Sequence, residues 1–226
     1  MSNRIQLQPA FVLHTRPYSN TSLLIELYTE HYGRVAVMAR SARGQKSRYR
    51  GKLQLFYPLL VDWSGRGELK TLGNVEFYAM PYNLSGQALM CGFYMNELLM
   101  RLLQRDDPYP ILFQYYNQAL HELNASISIL QILRCFEKRL LERLGYGLPL
   151  RNIRTELYYQ YIPDHGFVPY QGVGKEVEIF SGTCLTALQR EEFTNDAMLL
   201  EMKRLMRLVI SHHLGSKPLK SRELLL

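Results

Sequence analysis

Gly33–Phe56, GRVAVMARSARGQKSRYRGKLQLF, decides how the chain folds. Its first part alternates: Val35, Val37 and Ala39 against Arg34, Ala36, Met38 and Arg40, the period-two pattern of a strand. A polar loop with Ser41, Gly44, Ser47 and Gly51 follows, and an apolar strand resumes at Leu53. Between Arg34 and Lys52 stand seven cations, Arg34, Arg40, Arg43, Lys46, Arg48, Arg50 and Lys52, and no carboxylate. Unpaired cations are too costly to bury. The segment therefore faces water, as a solvated loop that keeps the protein in solution, or it faces a polyanion, as a phosphate-tracking surface.

Working outward, 9–16 (PAFVLHTR) reads as a strand, Pro17 to Asn20 as a turn, and Thr21 to Thr29 as a second strand. His31-Tyr32-Gly33 turns the chain into the basic strand. Leu53 to Trp63 is a fourth strand in which Pro58 marks an edge or a bulge. Ser64 to Gly67 is a hairpin turn, and Glu68 to Ala79 a fifth strand with a bend at Gly73. Five short strands without helical period predict a small barrel over residues 1–80, of the oligonucleotide-binding (OB) kind. An SH3-like barrel has a comparable strand count and stays open at this point.

After Pro81 the period becomes helical, so the fold class is α+β, with a helical domain over 81–226. A helix capped by Asn83 or Ser85 runs to about Arg105. Asp107 suits the N-cap and Pro108 the first position of a second helix, to about Leu123. A third runs from about Ile127 to Leu144, ended by Gly145-Tyr146-Gly147 and Pro149. Residues 150–182 break the pattern as an irregular segment or short hairpin, Leu157 to Ile162 with Gly166 to Tyr170. A short helix starts near Thr183, and a strong one spans Asp196 to Leu214, its Met198, Met202, Leu205, Met206, Val209 and Ile210 on one face.

The net charge of +7 is concentrated at the front, with 11 Lys/Arg against 5 Asp/Glu in residues 1–80. That asymmetry points to nucleic acid or an anionic surface as the partner of the first third. No apolar run reaches the roughly 18 residues of a membrane span. MSNRIQLQPA has no apolar leader, and three scattered cysteines, Cys91, Cys135 and Cys184, argue against a disulfide framework. A reducing, cytoplasmic setting is expected.

Signals for catalysis are weak. The six histidines are scattered, and Asp106-Asp107 is better explained as a helix cap than as an acid–base pair. Gly172-Val173-Gly174-Lys175 lacks the glycine and the Ser or Thr of a phosphate loop, because Pro169 and Glu176 stand there. No cysteine pair has metal spacing. No enzyme activity, metal or cofactor is expected. Among 16 tyrosines, Tyr49, inside the basic loop, is the best placed to stack on a base. Tyr158, Tyr159 and Tyr161 suit half-buried packing.

FVLHTRPYSNTSLLIELYTEHYGRV (11–35), MARSARGQKSRYRGKLQLFYPLLVDWSGRGELKTL (38–72), FYMNELLMRLL (93–103), LERLGYG (141–147) and LGSKPLKSREL (214–224) together resemble the bacterial RecO recombination-mediator family. The resemblance covers most of the chain and is weakest over 105–125 and 150–195. It implies an N-terminal OB barrel, a C-terminal helical domain, and no bond-breaking chemistry. It also implies binding of single- and double-stranded DNA and annealing of complementary strands. The partners it implies are the acidic C-terminal tail of single-stranded-DNA-binding protein, and RecR, with which the family loads RecA. Many members carry a four-cysteine zinc site; no such cluster lies between Gly147 and Gly182, so the chain resembles the zinc-free branch.

The expected DNA-binding residues are Arg34, Arg40, Arg43, Lys46, Arg48, Tyr49, Arg50 and Lys52. For the acidic tail, the resemblance and the charge pattern point to Arg134 on the third helix, with Lys138, and more weakly to Lys217, Lys220 and Arg222. The rival for Arg134 is a surface pairing with Glu137, and the rival for the tail segment is packing through Leu219 and Leu224. Two other functional readings stay open: an RNA-binding OB protein, and a basic adaptor that docks an acidic protein.

Overall fold

The computed structural model describes residues 4–125, 128–172, 178–215 and 217–225. Val173, Gly174 and Lys175 of the glycine-containing segment lie outside them. Five strands, β1 (Arg4–Tyr18), β2 (Ser22–Thr29), β3 (Gly33–Ala39), β4 (Leu59–Ser64) and β5 (Leu69–Phe77), close a barrel in the order β1-β2-β3-β5-β4. Alternation sends Val12, Ile25, Leu27, Val35, Val37, Val61 and Leu72 inside, where they are almost fully buried. The seam is parallel: Ala36, Val37 and Met38 of β3 pair with Leu69, Lys70 and Thr71 of β5, while the other pairings between the five strands are antiparallel. This five-stranded closure is that of an OB barrel; an SH3-like barrel has no such parallel pair.

Two strand starts differ most from the sequence reading. β1 starts at Arg4 rather than residue 9, because it passes Pro9 through an irregularity between Ile5 and Gln8, where the Leu7 N–H donates to Asp62 Oδ1 at 2.9 Å. β4 starts at Leu59 rather than Leu53. Apolar Leu53 to Pro58 look like strand, but Phe56 at φ +64 breaks the extended run, and Val12 pairs with Leu55 in an isolated bridge only. The bend expected at Gly73 coincides with a register shift, Val61 pairing with Val75 but Trp63 with Leu72, so that the extra residue lies on β5.

Two helices, α1 (Gly86–Leu102) and α2 (Pro110–Asn124), complete this first unit. Ser85 takes the first N-cap position. The second helix corrects the sequence reading: Tyr109 is the N-cap and Pro110 opens the helix, not Asp107 and Pro108. Asp106, at φ +57, instead accepts from Lys70 Nζ at 2.7 Å, and Asp107 accepts from the Tyr109 hydroxyl at 2.9 Å. Those aspartates belong to a turn seated on Gly33. There φ is +64, and a Cβ would stand 2.1 Å from the Asp107 carbonyl oxygen, so only glycine fits. Phe11 and Tyr28, on the outer face of the barrel, pack against Phe113 and Tyr116 of α2 with ring centroids 5.2–5.9 Å apart. Asn96 ties the layer together, donating to the Leu13 carbonyl and accepting from the Tyr116 hydroxyl.

The second unit, Ser128–Pro218, contains α3 (Ile129–Arg143), the three-stranded sheet β6 (Tyr158–Ile162), β7 (Gly166–Pro169) and β8 (Ile179–Ser181), α4 (Gly182–Arg190) and α5 (Asp196–Leu214). α3 ends in a Schellman turn: Gly145 N–H donates to Glu142 O and Tyr146 N–H to Leu141 O, with Gly145 at φ +83. The expected hairpin is β6–β7, and β8 pairs with the other edge of β6. Tyr159 is buried, Tyr161 half-buried and Tyr158 exposed. Phe180, Leu185, Leu188, Met202, Leu205 and Met206 form the core with Phe136 and Leu140 of α3.

Residues 219–226 return to the first unit. They carry a short 3-10 helix, Lys220–Leu225, against α1. Leu219 is buried, as the packing alternative anticipated, and Glu97 accepts from the Lys220 N–H (3.0 Å), the Ser221 N–H (2.8 Å) and the Ser221 hydroxyl (2.5 Å). The change from strand to helix near residue 80 and the division into two compact units therefore fall at different places. Among the described residues, no helix is long and apolar enough to cross a membrane.

Candidate nucleic-acid interface

The connection from β3 to β4 runs through successive tight turns and lines an open cleft of about 790 Å³ with Leu23. Turns succeed one another because the loop satisfies its own backbone: Gly44 N–H donates to Ser41 O, Ser47 to Gly44, Arg50 to Ser47, and Lys52 to Tyr49. Its outer end is fastened to the β1–β2 turn. The Arg43 guanidinium donates to the carbonyls of Ser19 (2.6 Å), Asn20 (2.9 Å) and Ser22 (3.2 Å), and the Arg43 N–H donates to Thr21 O at 2.8 Å. Three carbonyls thus hold one cation, and through it the loop.

The inner end is fastened by Tyr49, which corrects the sequence reading. Its ring is 3% exposed and belongs to the barrel core. The hydroxyl lies 2.9 Å from Leu72 O and 3.1 Å from Gly73 O on β5. A base has no access to this ring. An aromatic flanked by arginines in a polar loop looks the same in sequence whether it points in or out, so no local signal separated the two. Arg48 lies over that ring, 4.8 Å from its centroid, and donates to the Tyr49 hydroxyl at 2.6 Å.

The eight residues expected to bind DNA therefore divide. Arg40, Lys46 and Arg50 are exposed, and their side chains make no hydrogen bond or ion pair among the described residues. Arg43 and Arg48 are exposed while holding the loop. Lys52 donates to Val75 O at 2.8 Å and is half-buried. Arg34 lies apart from the loop cations: it donates to the Met100 carbonyl, stands 3.9 Å from Glu26, and burial pulls its guanidinium below the usual range. Glu26 also pairs with Arg105. Arg34 shares the segment with the loop cations in sequence, but its partners come from the neighbouring strand and from a helix 66 positions away.

In the second unit, Arg134 is buried, 6% exposed at its side chain, and 3.0 Å from the Glu137 carboxylate. The rival pairing is present, but inside the protein rather than on its surface. Lys138 donates to Gln189 O and Glu191 at 3.0 Å each, and Glu191 also accepts from Arg139 at 2.5 Å. The Glu191 carboxyl is desolvated, yet Arg139 and Lys138 outweigh that and hold it below the usual carboxylate range. Lys217 and Lys220 are exposed and Arg222 is half-buried.

Cys91 and Cys184 are buried and Cys135 is half-buried. Burial, with Glu201 3.0 Å away, pushes the Cys184 thiol up to about 11. Among the described residues, no group of three or more His, Cys, Asp or Glu is placed to hold a metal ion.

A basic loop clamped at both ends on an OB barrel can track phosphates without reading bases. Comparison with known proteins agrees with that setting. Residues 1–80 match the family model described as recombination protein O N terminal, and residues 84–152 the one described as recombination protein O C terminal. The chain is 54% identical over 233 residues to a DNA repair protein RecO of Coxiella burnetii, with all of both chains covered. It is 46% identical to a namesake from Methylococcus capsulatus, covering 98% of this chain and 93% of that one. A third, from Aromatoleum aromaticum, is 43% identical over 98% of this chain and 95% of its own.

Proposed function

The chain belongs to the recombination protein O family of DNA repair proteins, and from that premise we propose that it is a non-enzymatic mediator that anneals complementary single strands. The observation that carries this reading is the clamped loop: Arg40, Lys46 and Arg50 stand free on a segment fixed by Arg43 and Tyr49. Annealing needs the repulsion between two phosphate backbones removed while bases stay free to pair. A preorganised row of cations does this without a deep pocket, and releases condensed counterions as it binds. Single- and double-stranded DNA are both ligands in this reading.

The same reading makes the protein cytoplasmic, and gives it three protein partners: single-stranded-DNA-binding protein, RecR, and indirectly RecA, which it helps to load on coated DNA. For the acidic tail of single-stranded-DNA-binding protein, Lys220 and Arg222 supply cations on the segment that carries the buried Leu219, and Lys217 is a separate exposed candidate. Arg134 and Lys138, already paired with Glu137 and Glu191, contribute by holding their helix face in place, with carboxylate exchange as the route by which either would contact the tail.

The decisive experiment is annealing of complementary oligonucleotides, naked and coated with single-stranded-DNA-binding protein. Acceleration in both states is expected. Tight DNA binding without any acceleration would remove the mediator reading, and preference for RNA over DNA of the same sequence would redirect it.

A further inference from the structure

With Tyr49 sealed in the core, the loop's cations lack the aromatic partner that single-strand binding usually uses. The structure places one next to them. Phe77, at the end of β5, is 48% exposed, and its ring lies 5.8 Å from that of Tyr57, which is half-buried against the barrel core. Phe77 opens an exposed apolar run, with Tyr78 63% and Met80 83% exposed. Four consecutive exposed apolar residues are unusual without a function.

What lies beside this patch identifies its ligand. Lys52 donates to the Val75 carbonyl at 2.8 Å. Val75 and Phe77 are two residues apart on β5, so the carbonyl that holds the ammonium at the strand edge lies roughly 7 Å along the backbone from Phe77. One of its three N–H groups is used, leaving two. Arg50, exposed and without a partner among the described residues, precedes it by two positions. Glu76, next to Phe77 in sequence, follows the opposite phase of the strand and accepts from Asn74. An apolar ring face with cations along one border fits an alternation of flat bases and phosphates.

We infer that single-stranded DNA crosses from the loop onto this corner, with phosphates at Arg50 and Lys52 and a base stacked on Phe77, whose ring Tyr57 supports from the barrel side. The inference rests on the reading that the basic loop binds DNA, and deepens it. Phenylalanine offers no hydrogen bond, so it accepts any base; stacking on a ring face leaves the Watson–Crick edge open to a complementary strand.

The test uses oligo(dT) and an abasic oligonucleotide of equal length, with affinity measured by fluorescence anisotropy. The wild-type protein is expected to bind oligo(dT) roughly five-fold or more tightly than the abasic chain. Phe77→Ala brings the two together without changing the salt dependence, while Phe77→Trp keeps them apart. Because Phe77 is half exposed, circular dichroism should show both variants folded. A Phe77→Ala protein that retains the wild-type preference overturns the inference, and the patch then belongs to a protein partner. The combined Lys46→Glu, Arg50→Glu variant separates the two readings. If it weakens both ligands while Phe77→Ala alters neither, only stacking fails; if it weakens neither, the loop reading falls and the stacking inference with it.

Discussion

Arg43 and Ser19 lie 24 positions apart in the chain, yet the guanidinium meets the serine carbonyl at 2.6 Å. With Asn20 and Ser22 this turns the densest cationic segment of the protein into a fixed object. An arginine that would ordinarily repel its neighbours is spent on backbone carbonyls, and Arg40, Lys46 and Arg50 are left in the open.

Those exposed cations should account for affinity. Lys46→Glu with Arg50→Glu is expected to weaken binding to all single-stranded sequences alike and to reduce the log–log salt slope by about 0.7 for each phosphate that is no longer neutralised. Titration at several salt concentrations measures it, and an unaltered slope in the folded variant would rule these side chains out. Arg43→Ala should lose more affinity than its one charge explains, since it also unfastens the loop.

Tyr49 should behave as a core residue. Tyr49→Phe removes the hydroxyl next to the Leu72 and Gly73 carbonyls and is expected to cost about 1 kcal/mol in urea unfolding. Tyr49→Ala empties a buried aromatic site and should cost roughly 3–5 kcal/mol. DNA affinity of the folded Tyr49→Phe protein should match wild type; a large loss at unchanged stability would put this ring back on the binding surface.

For Arg134, the pairing with Glu137 is inside the protein, so a stability effect comes first. Arg134→Ala is expected to destabilise by about 3 kcal/mol, because it strips a partner from a buried carboxylate. Adding Glu137→Gln should recover part of that. If the single variant unfolds at the wild-type denaturant concentration and yet binds an acidic tail peptide several-fold more weakly, Arg134 touches the peptide directly.

Glu97 gives a pH signature. Burial pushes its carboxyl up, but hydrogen bonds from Ser221 and Lys220, with Arg101 nearby, outweigh that and hold it below its ordinary value of 4.5. A depressed folded value means the contact stabilises fully above about pH 4.5 and fades as pH falls through the folded value. Protection factors of the Lys220 and Ser221 amides, taken relative to intrinsic exchange at each pH, should therefore fall in acid before those of the barrel amides do. In Glu97→Gln the protection factors should be lower at neutral pH and nearly flat with pH; a wild-type profile in that variant would assign the protection elsewhere.

Alternation and turn residues made the barrel legible: Val35, Val37 and Ala39 point inward as their spacing requires. α5 spans Asp196–Leu214 as its periodicity predicts. What failed was decided by distant contacts. Leu53 to Pro58 have strand composition, yet Phe56 adopts φ +64 and is buried, which no local pattern announces. Asp107 and Pro108 form a good capping pair, but the turn is held by Gly33 and Lys70, so the helix waits for Pro110. Among the proposed site residues, the exposure of Arg40, Lys46 and Arg50 followed from charge alone. The burial of Tyr49 and Arg134 did not, because whether an amphipathic side chain snorkels or packs depends on partners from other elements.

The return of residues 219–226 to the first unit has a consequence for biosynthesis. A ribosome emits the barrel, α1 and α2, then the whole of Ser128–Pro218, and only afterwards the segment holding Leu219 and Ser221. The Glu97 carboxylate on α1 therefore waits, unpaired by its eventual donors, until Ser221, 124 positions later, is translated, several seconds or more at ordinary elongation rates. Nascent chains stalled before Leu219 would carry a first unit that is closed as a barrel but unlatched at α1, and a chaperone or protease surveying them meets that helix face before the finished protein covers it.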